Sequence, residues 1–272
     1  MKEMTSDEVK KVEILTLEKL NEICKENNIT YWLAYGTLLG CIRHHGFIPW
    51  DDDIDVIMPR PDYEQFCNLN VWNNSIESLG VRLVTLKNTS DYWRPYACLN
   101  DIRTKVIHKV MKDYNDSGVG IDIFPLDGLG KDINNAKRLI KMLHFERELI
   151  QSSLYKNPKY VYKDEKNIVK KIFKYILSHS YWKNKLMLCH MEHNAVSYNY
   201  RDSIYVGVVY GTFKEIMDKT IFSNTLEEKF EGKLYPIPYG YDQYLTNLYG
   251  DYMVPPPVYN RVSHQDATYY WK

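Results

Sequence analysis

The sequence predicts an α+β fold, a mixed β-sheet flanked by helices with an added helical lobe. Three observations lead there. Residues 1–130 open on one amphipathic helix pattern and then hold short apolar runs of strand length at 31–35, 53–57, 81–86, 96–99, 105–107 and 120–125. Residues 131–204 read as helical lobe, rich in Lys, His and aromatics. Residues 205–272 return to strand and turn patterns and are expected to complete the first unit. A chain of 272 residues is ample for a buried core.

Residues 5–27 carry the first helix. Thr5 and Glu8 have capping-box spacing, Val9, Val12, Leu20, Ile23 and Cys24 recur on one face, and Asn27-Asn28 ends the pattern. Its expected role is packing against the sheet. Tyr31-Trp32-Leu33-Ala34-Tyr35 is a short strand running into a Gly36-Thr37 turn, with a helix starting at Leu38. A short helix is expected at 63–70. Strands follow at 81–86, 96–99 and 105–107, the last two flanked by Arg94 and Arg103. Residues 120–125 place Asp122 inside an apolar strand. A buried carboxylate there needs a partner: a backbone amide, an arginine or a metal ion. Asp127 follows a proline and suits a turn cap. Helices at 133–154 and 165–199 are separated by a loop at 156–163 with Pro158 as breaker. His144, His190 and His193 lie on these helices without the companions a metal site requires. Residues 206–211 read as strand and turn, and 241–249 as a helix stopped by Gly250.

The densest chemistry lies in residues 35–61, YGTLLGCIRHHGFIPWDDDIDVIMPRP. Asp51, Asp52, Asp53 and Asp55 put four acids in five positions, directly before Val56-Ile57-Met58. Read as a strand, Asp53 and Asp55 project to one side while Ile54 and Val56 pack on the other. Two carboxylates so placed can ligate one hard cation; a solvated acidic loop is the alternative. Upstream, a strand, a glycine, a small hydroxyl and a helix start present backbone N–H groups to phosphate. Arg43 suits phosphate through its guanidinium fork, whereas His44 and His45 read as surface residues.

Gly36-Thr37-Leu38-Leu39-Gly40, Ile42-Arg43-His44 and Gly46-Phe47-Ile48-Pro49-Trp50-Asp51-Asp52-Asp53-Ile54-Asp55 together resemble the signature of the LicD/fukutin family. Its members are cytidine-diphosphate-dependent phosphotransferases of the nucleotidyltransferase-fold superfamily. Gly120-Ile121-Asp122-Ile123-Phe124-Pro125-Leu126-Asp127 is similar to the family as well. So are Phe230-Glu231-Gly232 with Pro236-Ile237-Pro238, which resemble a family hairpin, and Pro255-Pro256. The resemblance implies a nucleotidyltransferase-like sheet in residues 1–130. It implies Mg²⁺ or Mn²⁺ held by Asp53 and Asp55 with Asp122, and a CDP-alcohol diphosphate over Gly36 and Thr37 beside Arg43. A hydroxyl of a glycan or lipid-linked glycan acceptor would attack phosphorus in line, its proton passing to a carboxylate of the cluster or to His264.

The group expected to move is phosphocholine from CDP-choline, onto a cell-surface glycan precursor such as teichoic acid or capsule, with release of CMP. Aromatic faces hold quaternary ammonium groups, and Tyr31, Trp32, Trp50, Trp93 and Tyr96 lie near the motifs. CDP-ribitol or CDP-glycerol as donor, nucleotidyl transfer to a small molecule or sugar, and a non-catalytic binding protein of this fold are the alternatives. The presence of Asp53, Asp55 and Asp122 weighs against the last.

Lys+Arg and Asp+Glu both number 35, so bulk charge does not suggest a nucleic-acid partner. The five cysteines are widely spaced, with no zinc pattern, and read as buried free thiols in a reducing cytoplasm. The charged N-terminus lacks an apolar signal core, and no run reaches the ~18 apolar residues of a membrane span. The expected location is the cytoplasm, with peripheral contact at the inner membrane face through the acceptor.

Overall fold

The structure, a computed structural model, describes residues 1–74, 79–156, 168, 181–261 and 267–272. His264, residues 157–163 of the expected loop and most of 165–180 lie outside the described residues.

A short strand, β1 (Lys2–Glu3), precedes helix α1 (Ser6–Glu26). The capping box forms: the Thr5 N–H donates to Glu8 Oε2 at 2.8 Å and the Glu8 N–H donates to Thr5 Oγ1 at 3.2 Å. Val9, Val12, Leu17, Leu20, Ile23 and Cys24 turn inward. Strand β2 (Trp32–Leu33) is shorter than expected, because α2 (Tyr35–His44) begins three residues before Leu38. Gly36 and Thr37 therefore lie in the first helical turn. Strand β3 (Ile54–Pro59) runs directly into α3 (Arg60–Cys67), where Pro61 near the start costs no helical hydrogen bond.

After α4 (Val71–Asn74) come β4 (Val81–Val84), β5 (Ala97–Asp101), β6 (Thr104–His108) and β7 (Gly120–Gly128). Helices α5 (Ile133–Leu154) and α6 (Tyr181–Ala195) follow, α5 with the bounds predicted. The remaining strands and α-helix are β8 (Tyr205–Gly207), β9 (Met217–Asp218), β10 (Thr225–Phe230), β11 (Lys233–Pro238), α7 (Tyr241–Tyr249) and β12 (Ala267–Trp271), with short 3-10 turns at Phe213–Glu215, Lys219–Phe222 and Val258–Asn260.

The main sheet is mixed and runs in the order β2-β3-β7-β5-β4. Its centre is β7, parallel to β3 and antiparallel to β5. β5 accompanies β7 only as far as Ile123, so Pro125 meets no strand on that side. The far end of β7 instead takes β8, which pairs with β9. β5 and β6 are neighbours in sequence but join different sheets: β6 pairs with β12, and β12 with β1. The two ends of the described chain thus meet in one small sheet.

The hairpin β10–β11 turns through Glu231 and Gly232, at φ 50 and φ 82. Two positive φ values are what a two-residue hairpin turn matching the twist of its strands requires. The hairpin braces the loop after α2. Glu231 accepts the Phe47 N–H at 3.0 Å, Cys41 Sγ donates to the Lys229 carbonyl at 3.4 Å, and the Phe47 and Phe230 rings lie 5.1 Å apart.

Candidate active site

The register of β3 against β7 sets Asp55 opposite Asp122 on adjacent parallel strands. Asp53 lies one pleat before Asp55 and shares its side. Helix α2 holds this end of β3: the Asp55 N–H donates to Thr37 Oγ1 at 2.8 Å, and Thr37 is buried. Thr37 thus ties helix to strand through its hydroxyl. Asp51 lies so near the first turn of α2 that a Cβ on Gly36 would come 2.6 Å from its Oδ2. Glycine at 36 is what lets that carboxylate approach.

The acids crowd one another. Asp53 leaves its outer surface open to solvent. The packing around its carboxyl, a hydrogen bond and charge from Asp51, and the charges of Asp122 and Asp52 nevertheless push it up to about 8. Asp55 is raised well above the usual carboxylate range, first by burial and then by Asp53 and Asp122. Asp122 has the arginine partner that the sequence left as one of three choices. Arg94 Nη1 donates to its Oδ1 at 3.0 Å and its Oδ2 at 2.8 Å. Cys98, directly across the ladder, donates from Sγ to Oδ1 at 2.8 Å. Burial, and then the charge of Asp122, push the Cys98 thiol above its ordinary value.

Glu13 is an acid the sequence reading passed over. It sits on α1, 3 % exposed, and its Oε2 has no hydrogen-bond partner among the described residues. Burial, followed by the charges of Asp53 and Asp52, raises it well above the ordinary carboxylate value. A helical signal for it existed. Position 13 lies four residues from both Val9 and Leu17, inside the buried stripe.

Two cavities flank the acids. Glu13, Asp53 and Asp122 line one of about 210 Å³, together with His108 and Tyr114. Asp55 lines the other, of about 360 Å³, with Tyr35, Trp93, Tyr96 and Phe124. Arg94 is in the wall of both.

The other expected residues scatter. Arg43 Nη1 donates to the Tyr252 carbonyl at 2.6 Å, and Arg261 lies over the Trp50 ring at 4.7 Å. Tyr31 and Trp32 are buried in the core, their polar tips bound to Asn21 and Thr225. Arg103 pairs with Asp101. Asp127 caps no turn: it is fully buried and accepts Arg60 Nε at 2.5 Å. All five cysteines are free; Cys24, Cys41 and Cys98 are buried, whereas Cys67 is half-buried and Cys189 exposed.

As a cation site, the cluster offers hard carboxylate oxygens whose mutual repulsion a cation would relieve. Among the described residues, no three His, Cys, Asp or Glu side chains already stand arranged to hold an ion. Among the described residues, no helix is long and apolar enough to cross a membrane.

Residues 28–131, which hold the Asp55–Asp122 rung, match the family described as LicD/FKTN/FKRP, nucleotidyltransferase domain. Over 268 residues the chain is 31 % identical to the lipopolysaccharide cholinephosphotransferase LicD of Haemophilus influenzae, covering 97 % of each chain. The chain belongs to the LicD family. Two uncharacterized proteins are similar over shorter stretches. One, of Rickettsia typhi, is 44 % identical over 50 residues, 18 % of this chain and 16 % of its own. The other, of Rickettsia prowazekii, is 44 % identical over 68 residues, 22 % and 26 % respectively.

Proposed function

We propose that this chain transfers phosphocholine from CDP-choline to a hydroxyl of a cell-surface glycan precursor and releases CMP. The observation that carries the reading is the acid cluster. Asp53 and Asp55 repel each other and Asp122, and the nearby Arg94 is already bound to Asp122. The chain is a phosphotransferase by family, and the choline comes from the named activity of the Haemophilus relative. That relative acts on lipopolysaccharide. A teichoic acid or capsule precursor offers the same chemistry, a glycan hydroxyl. We place the reaction in the cytoplasm, at the inner membrane face for a lipid-linked acceptor.

We assign the sheet to the nucleotidyltransferase-like arrangement, with residues 1–130 and 205–272 forming the catalytic unit and 131–204 a helical lobe. Asp53 and Asp55, joined by Asp122, would hold Mg²⁺ or Mn²⁺, and Asp122 joins by giving up part of its contact with Arg94. Such an ion supplies Lewis-acid neutralisation of phosphate charge. Backbone N–H groups at Gly36 and Thr37, with Arg43, would receive the diphosphate. The acceptor oxygen forms its bond to phosphorus as the bond to the CMP oxygen breaks. The acceptor's proton passes to a carboxylate oxygen of the cluster or to His264.

The test is CMP release from CDP-choline, CDP-ribitol and CDP-glycerol with a glycan acceptor, with and without EDTA. CDP-choline should be preferred, EDTA should abolish turnover, and Asp55→Asn should lower the rate by about a thousandfold. Preference for another CDP-alcohol removes the choline assignment, and a near-native rate for Asp55→Asn removes the site. Release of pyrophosphate from a nucleoside triphosphate instead would favour nucleotidyl transfer.

A further inference from the structure

Tyr35, Trp93, Tyr96 and Phe124 are half-buried and line one cavity with Asp55. Their rings bound the cavity of about 360 Å³. Tyr35 sits at φ 45, a left-handed conformation that a bulky side chain rarely adopts. In that position its ring meets the edge of Phe124 at 5.2 Å, and Phe124 lies 4.3 Å from Tyr96.

The ring faces already hold a cation. The Arg94 guanidinium lies 5.4 Å from the Trp93 centroid and 5.7 Å from that of Tyr96. Carboxylates stand in the same wall. Asp55 is one; Glu215 is the other, fixed by the Tyr35 hydroxyl at 2.5 Å and the Thr212 N–H at 2.8 Å. Two guanidiniums, Arg94 and Arg147, complete the wall. Arg94 is bound to Asp122, and Arg147 donates to the Tyr210 carbonyl.

This composition suits a zwitterion. Guanidiniums beside Asp55 complement a phosphate, and ring faces with Glu215 complement a cation. A trimethylammonium group has no N–H to satisfy, so aromatic faces can desolvate it at little cost. We propose that this cavity is the subsite for the trimethylammonium end of the phosphocholine group, an inference that rests on the phosphocholine reading above. Trp93 and Tyr96 supply ring surface beside the Arg94 guanidinium that already lies over them, Tyr35 and Phe124 complete the wall, and Glu215 supplies the counter-charge.

The experiment uses the intact chain with Mg²⁺ and measures affinity for CDP-choline and CDP-glycerol by calorimetry, beside kcat/KM for both. Wild type should prefer CDP-choline. Trp93→Leu and Tyr96→Leu should each shrink that preference by about tenfold, and Trp93→Phe should keep most of it. Melting curves confirm that each variant is folded, which these half-open positions favour. If wild type prefers CDP-choline and all three variants keep the full preference, the subsite is overturned and the functional reading stands. If wild type shows no preference for CDP-choline, both are overturned.

Discussion

Strand β7 carries two acids that each meet an arginine, Asp122 near its start and Asp127 near its end. Their odd spacing puts them on opposite faces of the sheet. Asp127 is wholly enclosed with Arg60, and Glu192 stands 3.7 Å from the same guanidinium. Burial lifts Asp127 to about 6, with Arg60 opposing that rise. Asp122 has Arg94, but Asp51, Asp53 and Asp55 crowd the same end of the sheet. Near Arg60 one guanidinium faces two carboxylates, Asp127 and Glu192. Near Arg94 the carboxylates of Asp51, Asp53, Asp55 and Asp122 crowd one guanidinium, with cavities beside them; Arg60, Glu64 and Glu192 also line a cavity, of about 480 Å³. A buried acid–arginine pair, even beside a cavity, is therefore weak evidence of function; several carboxylates crowded at one point are stronger evidence.

The contrast is broken or sharpened first by Asp127→Asn. Removing one partner leaves Arg60 buried with reduced compensation, which costs about 3 kcal/mol of stability. Denaturant unfolding should register that loss, while the rate per folded molecule stays at the wild-type level. A large loss of rate with stability intact would place Asp127 in the working site and erase the distinction.

Asp122→Asn should act the other way. It keeps the side-chain shape and takes one charge from a crowded cluster, so melting in EDTA should change little. Turnover should fall by about a hundredfold. Preserved turnover with lowered stability would make Asp122 a second structural pair like Asp127.

Much of this was legible because it is local. The Thr5/Glu8 capping box, the alternation of Asp53 and Asp55 against Ile54 and Val56, and the bounds of α5 and α7 rest on spacings within a few residues. The Glu231-Gly232 hairpin was legible through resemblance. What escaped is non-local. Arg94 reaches Asp122 across 28 positions, and β12 joins β1 and β6 through pairings no short window contains. Thr37 offered a hydroxyl whose hydrogen bond to Asp55 depends on how α2 docks on β3. Glu215 stands three residues after Thr212, a cap spacing that gives no hint of the aromatic wall it joins. Glu13 was the avoidable miss, a charge within an apolar helical stripe.

Glu13 gives the smallest predicted effect and the finest test of the same contrast. Burial first, then Asp53 and Asp52, raise its carboxyl well above the ordinary 4.5, with Lys10 opposing. For a group raised on folding, the stabilising contribution is complete below the unfolded value and is lost as pH climbs toward the folded one. Glutamine is a permanent copy of the protonated form. Glu13→Gln should therefore match wild type near pH 4 in EDTA and melt higher at pH 8. The gain should be on the order of 2–4 °C, the shift expected for about 1 kcal/mol in a chain somewhat smaller than this one. If Glu13 supports the acid cluster in its work, the more stable variant should also be slower, by about tenfold at saturating Mg²⁺. A gain in stability with full activity would leave Glu13 a tolerated buried acid, on the Asp127 side of the comparison. A loss of stability at pH 8 would mean that its carboxylate is compensated after all, and that the excess of negative charge around Arg94 is smaller than the geometry implies.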